Sequence, residues 1–343
     1  MSVRKAYRQR AFKRSLTAFF LVVLGFVFLW LNLISGSNGV MLSDTFKLFE
    51  WGNQLGMIVE AIRLPRALGA ILVGMLLGLS GVAMQGVLRN PLASPFTLGI
   101  SQAASFGASF AIIMLEPTIA THPFISKFSV ALSAFGTSML CAICIIWIGK
   151  KVGMSPTSLI LAGVGLGSLF HSGTMFLQYF TTEINAAATL FWTFGDLSKA
   201  TYPILWFLLV TFCLALGVLW TAHWKFDALG FGDESAFNKG VNVKNFRILM
   251  LLFSSLCTAV AVAFFGMIGF IGLVAPHLVR LAIGSSHSAL IPLSALSGGV
   301  LLLGADWCAR MLLYPSSLPV GILTSFIGAP MLLYLLVFGG KIK

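Results

Sequence analysis

Long apolar runs separated by short polar turns repeat from Leu16 to Phe338, and no other feature restricts the fold as much. A membrane-crossing helix needs about 20 mostly apolar residues. Ten runs qualify: 16–34, 67–88, 96–115, 128–149, 157–180, 202–222, 246–265, 267–284, 289–312 and 322–338. Only 9% of the residues are charged, and the mean hydropathy is +0.96. A charged side chain at the centre of a bilayer costs roughly 2.5–3.5 kcal/mol on insertion scales, so this composition suits a chain whose solvent is lipid. In lipid the backbone must satisfy its own hydrogen bonds, and runs this long do so as helices rather than barrel strands. The expectation is an all-α integral membrane protein of about ten transmembrane helices, one domain over residues 1–343. The longest polar connections are 35–66, 181–201 and 223–245, and the second has room for a short surface helix.

The net charge of +12 could suggest nucleic acid, but its distribution reads as topology. With ten spans and both termini inside, sixteen of the 22 basic residues fall on the cytoplasmic side, including those of a basic tail over residues 1–15. Lys47, Arg63, Arg66, Lys127, Lys199 and Arg310 fall outside. The positive-inside rule expects this bias, so no nucleic-acid partner is expected. The N-terminus imitates a signal peptide, but its apolar run is long and further spans follow, so a retained first helix is expected. Cys141 and Cys144 form a C-x-x-C inside a span, where i,i+3 neighbours read as packing rather than redox or metal chemistry.

Small residues form rows at Gly74, Gly78 and Gly81, at Gly163 and Gly167, and at Gly266, Gly269 and Gly272. Such rows let helix backbones approach closely, within a subunit or between subunits. Arg63-Leu64-Pro65-Arg66 places a helix-opening proline between two arginines on the outer side. Gln85 to Ser101 contains Asn90-Pro91 and Pro95, a proline-broken turn on the inner side that is either a simple tight turn between spans or, at membrane depth, a segment that is protein-buried or lines a cavity. The 225–247 stretch holds Asp233-Glu234-Ser235-Ala236, a helix start with acids at its N-terminus, and Gly240 can end that helix. Pro276-His277-Leu278-Val279-Arg280 closes the eighth span. Asp306 lies inside the ninth, and Arg310 one turn later suits a structural ion pair more than a proton relay.

The sequence has no G-x-x-x-x-G-K-[ST] phosphate loop, no H-E-x-x-H, no close Cys/His cluster and no G-x-S-x-G elbow. Chemistry by this chain alone is not expected: no catalytic residues, no metal and no cofactor of its own. An ion-coupled secondary transporter using Asp306 stays open as an alternative, as does an intramembrane enzyme whose catalytic cluster is not visible.

Together these motifs resemble the FecCD-type permease family, the membrane subunits of bacterial type II ABC importers for iron chelates and vitamin B12. The resemblance rests on 62–101, on LILAGVGLGSLF at 159–170, on GMIGFIGLVAPHLVRLAIG at 266–284, on Asp306-x-x-x-Arg310 and on LPVGILTSFIGAPMLLYLL at 318–336. It implies a ten-span permease in the bacterial inner membrane, working as a homodimer or with a close paralogue. Two separate cytoplasmic ATPases would carry ATP and Mg, and a periplasmic or lipid-anchored binding protein would deliver the ligand. By resemblance, Arg63, Arg66 and Arg310 would engage that binding protein. Asp233, Glu234, Ala236 and Gly240, within a cytoplasmic coupling loop over 223–245, would engage the ATPase, with Ser235 departing from the family's E-A-A pattern. Gly81, Gln85, Asn90, Pro91, Thr157 and Ser158 would belong to the pathway or its gate. The cargo implied is a ferric siderophore or similar chelate, with vitamin B12 or haem as alternatives. Spans 2–5 begin outside and spans 7–10 inside, so any repeat relating them is inverted; residue identity alone does not establish one.

Overall fold

Every one of the ten apolar runs contains a helix in the computed structural model, which describes residues 3–36, 39–40, 54–115, 123–313 and 316–338. Apart from a short α-helical stretch at Gln54–Ile58, the α-helices among the described residues are α1 (Val3–Ile34), α2 (Leu64–Leu88), α3 (Ile100–Phe110), α4 (Pro123–Lys151), α5 (Pro156–Tyr179), α6 (Glu183–Thr193), α7 (Tyr202–Thr221), α8 (His223–Leu229), α9 (Asp233–Asn238), α10 (Val243–Phe265), α11 (Ile271–Ile283), α12 (His287–Met311) and α13 (Val320–Phe338). Among the described residues, seven helices are long and apolar enough to cross a membrane, and three shorter apolar ones accompany them. A π-helical turn at Val59–Arg63 leads into α2, and a second at Ala111–Leu115 extends α3. The 181–201 connection does hold a surface helix, α6, capped by the Thr182 hydroxyl.

Three boundaries differ from the hydropathy reading. The basic tail expected over residues 1–15 is not separate from the first span: α1 is continuous from Val3. At 1.5 Å per residue its 32 residues reach about 48 Å, beyond a hydrocarbon core of about 30 Å. The third span starts at Ile100 rather than 96. The eighth is a helix of only 13 residues, because Gly266 adopts φ +77 and ends α10. Gly266 and Gly269 therefore lie in a non-helical break, not in a helix-face row with Gly272. Lys47, Lys341 and Lys343, counted in the topology reading, lie outside the described residues.

The packing shows an exchange symmetry. Helix α2 packs on α12 as α10 packs on α4, and α2 meets α11 as α10 meets α3. Likewise α3 contacts α4 and α5 as α11 contacts α12 and α13. The two quartets, α2–α5 and α10–α13, each hold a short second helix preceded by a break, at 89–99 and 266–270. In the first break Ala93, Ser94, Pro95 and Leu98 are buried, and Ser94 and Thr97 exchange backbone-to-hydroxyl bonds of 3.1 and 3.3 Å. Leu98 and Gly99 rest on Gly163 and Gly167 of α5. Gly163 lies seven residues into α5, so the turn climbs about 10 Å back along it. At the second break Gly266 N–H bonds Val262 O at 2.8 Å, Gly269 O accepts from Ile271 N–H at 2.8 Å, and the distant Asp196 N–H bonds Phe265 O at 2.7 Å. The breaks meet where Phe96 and Phe270 bring their rings to 5.7 Å.

The row Gly74, Gly78 and Gly81 packs on the backbones of Gly298, Ser294 and Gly272. These contacts lie within the chain, as do those of Gly163 and Gly167.

Candidate functional site

Charged residues gather at two opposite ends of the α2–α10 pair. At one end, the first turn of α2 supplies Arg66 and the last turns of α12 supply Asp306 and Arg310. Asp306 is fully buried. Arg66 grips it with Nε at 3.0 and 3.1 Å from the two oxygens and Nη2 at 2.9 Å. Arg310 approaches Asp306 with Nε at 3.3 Å, and its other nitrogens donate to Ser35 O and Asn32 Oδ1. Arg63 Nη1 donates to Leu33 O at 2.6 Å. The expected Asp306–Arg310 pair is present, but as one side of a triad in which Arg66 holds the bidentate bonds. One acid against two arginines leaves a net positive charge of one, with the Arg66 and Arg310 side chains 15% and 14% exposed.

A cavity of about 1030 Å³ opens beside Arg66 and is lined by Trp192, Asp196, Lys199, Phe264 and Leu318 among others. Burial pulls the Lys199 ammonium below its usual range, and Asp196 opposes the shift.

At the other end, α8 and α9 project from the α7–α10 connection. Helix α9 opens at Gly232 and closes in a Schellman motif: Val241 N–H bonds Ala236 O at 3.0 Å and Gly240 N–H bonds Phe237 O at 2.8 Å. Gly240 has φ +81, a conformation open to glycine at little cost. Ala236 is buried under the helix and Glu234 is exposed. Asp233 pairs with Arg247 at 3.1 Å and lies 3.9 Å from Arg89. Phe231 and Phe237 are 76% and 72% exposed, and Lys239 Nζ sits 4.7 Å from the Phe231 ring centroid. In α8, Asp227 accepts from His287 N–H at 2.9 Å and contacts His287 Nδ1 at 2.7 Å, while Phe226 stacks on the imidazole. Burial raises the Asp227 carboxyl, but the His287 hydrogen bonds and the charges of His287 and His223 outweigh it and leave it below the usual range.

The expected pathway residues separate. Gly81 packs against the Gly272 backbone, and Gln85 is buried with Nε2 donating to Leu273 O at 3.2 Å. Asn90 forms an Asx turn onto Leu92 N–H at 2.9 Å, with Pro91 exposed. Thr157 is exposed at the start of α5, while the Ser158 N–H is capped by Ser155 Oγ at 3.1 Å. Sequence reasoning missed Arg66 as the main partner of Asp306, Arg247 as the partner of Asp233, and the pair Phe231 and Phe237. The two phenylalanines were visible as apolar residues in a polar loop; the ion pairs had no local signal.

A bundle of apolar helices long enough to cross a membrane, with two interrupted segments meeting inside it and a charged device at each end, is the build of a multi-pass membrane protein. The FecCD transport family model matches residues 22–338, and the chain belongs to that family. A candidate ABC transporter permease protein of Methanocaldococcus jannaschii is 45% identical over 83% of each chain. The hemin transport system permease protein HmuU of Yersinia pestis is 35% identical, covering 92% of this chain and 95% of that one. The cobalamin import system permease protein BtuC of Halobacterium salinarum is 38% identical, covering 82% and 73%. A solved inward-facing conformation of a candidate metal-chelate type ABC transporter superposes with a TM-score of 0.81 at 29% identity, covering 93% of this chain and 98% of that chain. Family and fold together make this chain a permease of the ABC type.

Proposed function

We propose that this chain is the membrane subunit of an ATP-driven importer in a bacterial inner membrane, with both termini cytoplasmic and a second copy or close paralogue beside it. Two separate ATPase subunits, carrying ATP and Mg, dock at α8 and α9. A periplasmic or lipid-anchored binding protein docks at the Arg63, Arg66 and Arg310 end. The cargo is a ferric siderophore or similar iron chelate; the hemin relative and the metal-chelate structure favour iron over vitamin B12. The single observation that carries the reading is α9, a short closed helix presented at one end of the bundle with Glu234, Phe231 and Phe237 exposed.

The geometry supports a plain mechanism. Closure of the ATPases on ATP moves α9, and the spans that hold α9 shift the passage between its two openings. The face of α5 that carries Thr157, Leu161, Gly165, Ser168, Ser172 and Met175 is exposed in one subunit. Its small and hydroxyl-bearing residues, interspersed with Leu161 and Met175, suit a weakly binding passage for a bulky chelate, which a tightly binding wall would retain. The net positive charge left by the Arg66–Asp306–Arg310 triad orients an acidic partner and speeds encounter more than it adds affinity.

The test is uptake in vesicles containing the permease, its ATPase and its binding protein. ATP-dependent entry of a ferric chelate is expected, and Glu234→Arg should lower uptake at least tenfold. Entry of vitamin B12 instead corrects the cargo. Entry driven by an ion gradient without ATP overturns the reading in favour of a secondary transporter. Exposed aromatics at a docking surface act as anchors, so Phe237→Ala should weaken ATPase binding about tenfold or more, read by titration of the ATPase onto the purified permease. Unchanged affinity would remove Phe237 from that surface.

A further inference from the structure

Arg247 is the fifth residue of α10 and is 3% exposed. Its guanidinium joins three segments that are distant in the chain. Nε donates to Val87 O at 3.1 Å, in the last turn of α2. Nη1 donates to Met154 O at 3.0 Å, in the turn that enters α5. Nη2 donates to both Asp233 oxygens at 3.1 and 3.2 Å, at the first residue of α9. A buried charge is stable only when paired and fully hydrogen-bonded. Here the pairing carboxylate comes from the projecting loop, where Asp233 is 42% exposed, while the bundle supplies only carbonyl oxygens.

We propose that Arg247 is the positioning residue that carries movement of α9 into the spans, acting on α2 and α5 at once. The planar guanidinium fixes the directions of its donors. A displacement of Asp233 that keeps the pair intact therefore pulls on Val87 and Met154 together. Met154 lies at φ +56, immediately before the Ser155 cap of α5, so the pull reaches the exposed Thr157 within three residues. The exchange symmetry of the fold supplies a counterpart. Arg66, third residue of α2, binds Asp306 near the end of α12, as Arg247 in α10 binds the turn that follows α4. Each quartet thus begins with a largely buried arginine tied to the end of the helix it packs on, one at each end of the bundle. This inference rests on the importer reading above.

The experiment uses the complete complex of permease, ATPase and binding protein in vesicles, and reads ligand transported per ATP hydrolysed. Arg247→Lys keeps the charge and loses the fork; Asp233→Asn keeps the shape and loses the charge. Each is expected to lower the ratio at least fivefold, and the double variant is expected to be no worse than the poorer single one, since both break one link. Singles with the wild-type ratio, or a double variant whose loss is the product of the two, overturn the proposal. If Arg247→Lys does not assemble, the exposed partner still decides the matter. A spin label at Thr157→Cys, in a background lacking the five native cysteines, should show an ATP-dependent shift that Asp233→Asn abolishes; a shift that persists overturns the proposal. A wild-type complex without ATP-driven uptake overturns the importer reading, and this link with it. A coupled wild-type complex with coupled variants overturns this link alone.

Discussion

Replacing Gly81 with leucine should leave no folded permease. A Cβ at position 81 would overlap the carbonyl oxygen of Gly272, and the Gly272 carbon would lie at 2.5 Å. Overpacking a core costs roughly 1–3 kcal/mol where neighbouring side chains shift. Here the obstacle is the backbone of α11, held by the break before it, so the loss should exceed about 3 kcal/mol. Gly217→Leu in α7 is the control, because a Cβ there meets nothing within 4 Å. The readout is the monodisperse fraction and melting temperature in detergent. A Gly81→Leu protein that melts with the wild type would show that α2 and α11 separate more easily than their contact implies. The same contact gives Gly81 a packing role: any opening between these helices must first pull their touching backbones apart.

The spans were legible because hydropathy over about 20 residues is a local property with a strict physical cause. The α9 helix was legible for a similar reason: acids at its start and a glycine at its end are local signals. The eighth span was misjudged because Gly266, Gly269 and Gly272 are as apolar in a break as in a helix. Hydropathy cannot distinguish a row of glycines that packs from one that turns. Only φ +77 at Gly266 and the contact with the α6–α7 loop separate them. The charged devices were half legible. Asp306 and Arg310 are one turn apart, so their pairing followed from spacing. Arg66 lies 240 positions from Asp306, and Arg247 reaches carbonyl oxygens 93 and 160 positions away. No residue type advertises a bond to a distant backbone oxygen.

Asp306→Ala should destabilise the permease by about 3–5 kcal/mol, the cost of leaving buried charge without its partner. The carboxylate has no exposure, and both arginines would remain held beside the vacated position: Arg310 through Asn32 and Ser35, Arg66 through the first turn of α2. Apolar replacement of a whole buried ionic group is often neutral or stabilising. Arg66→Met, Asp306→Leu and Arg310→Met combined should therefore recover most of the melting temperature lost by Asp306→Ala. The triple variant separates stability from function. If the triad serves docking, the refolded triple variant binds the binding protein at least tenfold more weakly and cannot be driven by it. If the triad only staples α1, α2 and α12 together, the triple variant docks and transports like the wild type, and docking falls to Arg63 and other groups at that end. Asp306→Asn adds the third arm. Normal folding and docking with loss of gradient-driven uptake would return Asp306 to the role of a transport carboxylate, which its full burial and the three hydrogen bonds from Arg66 argue against.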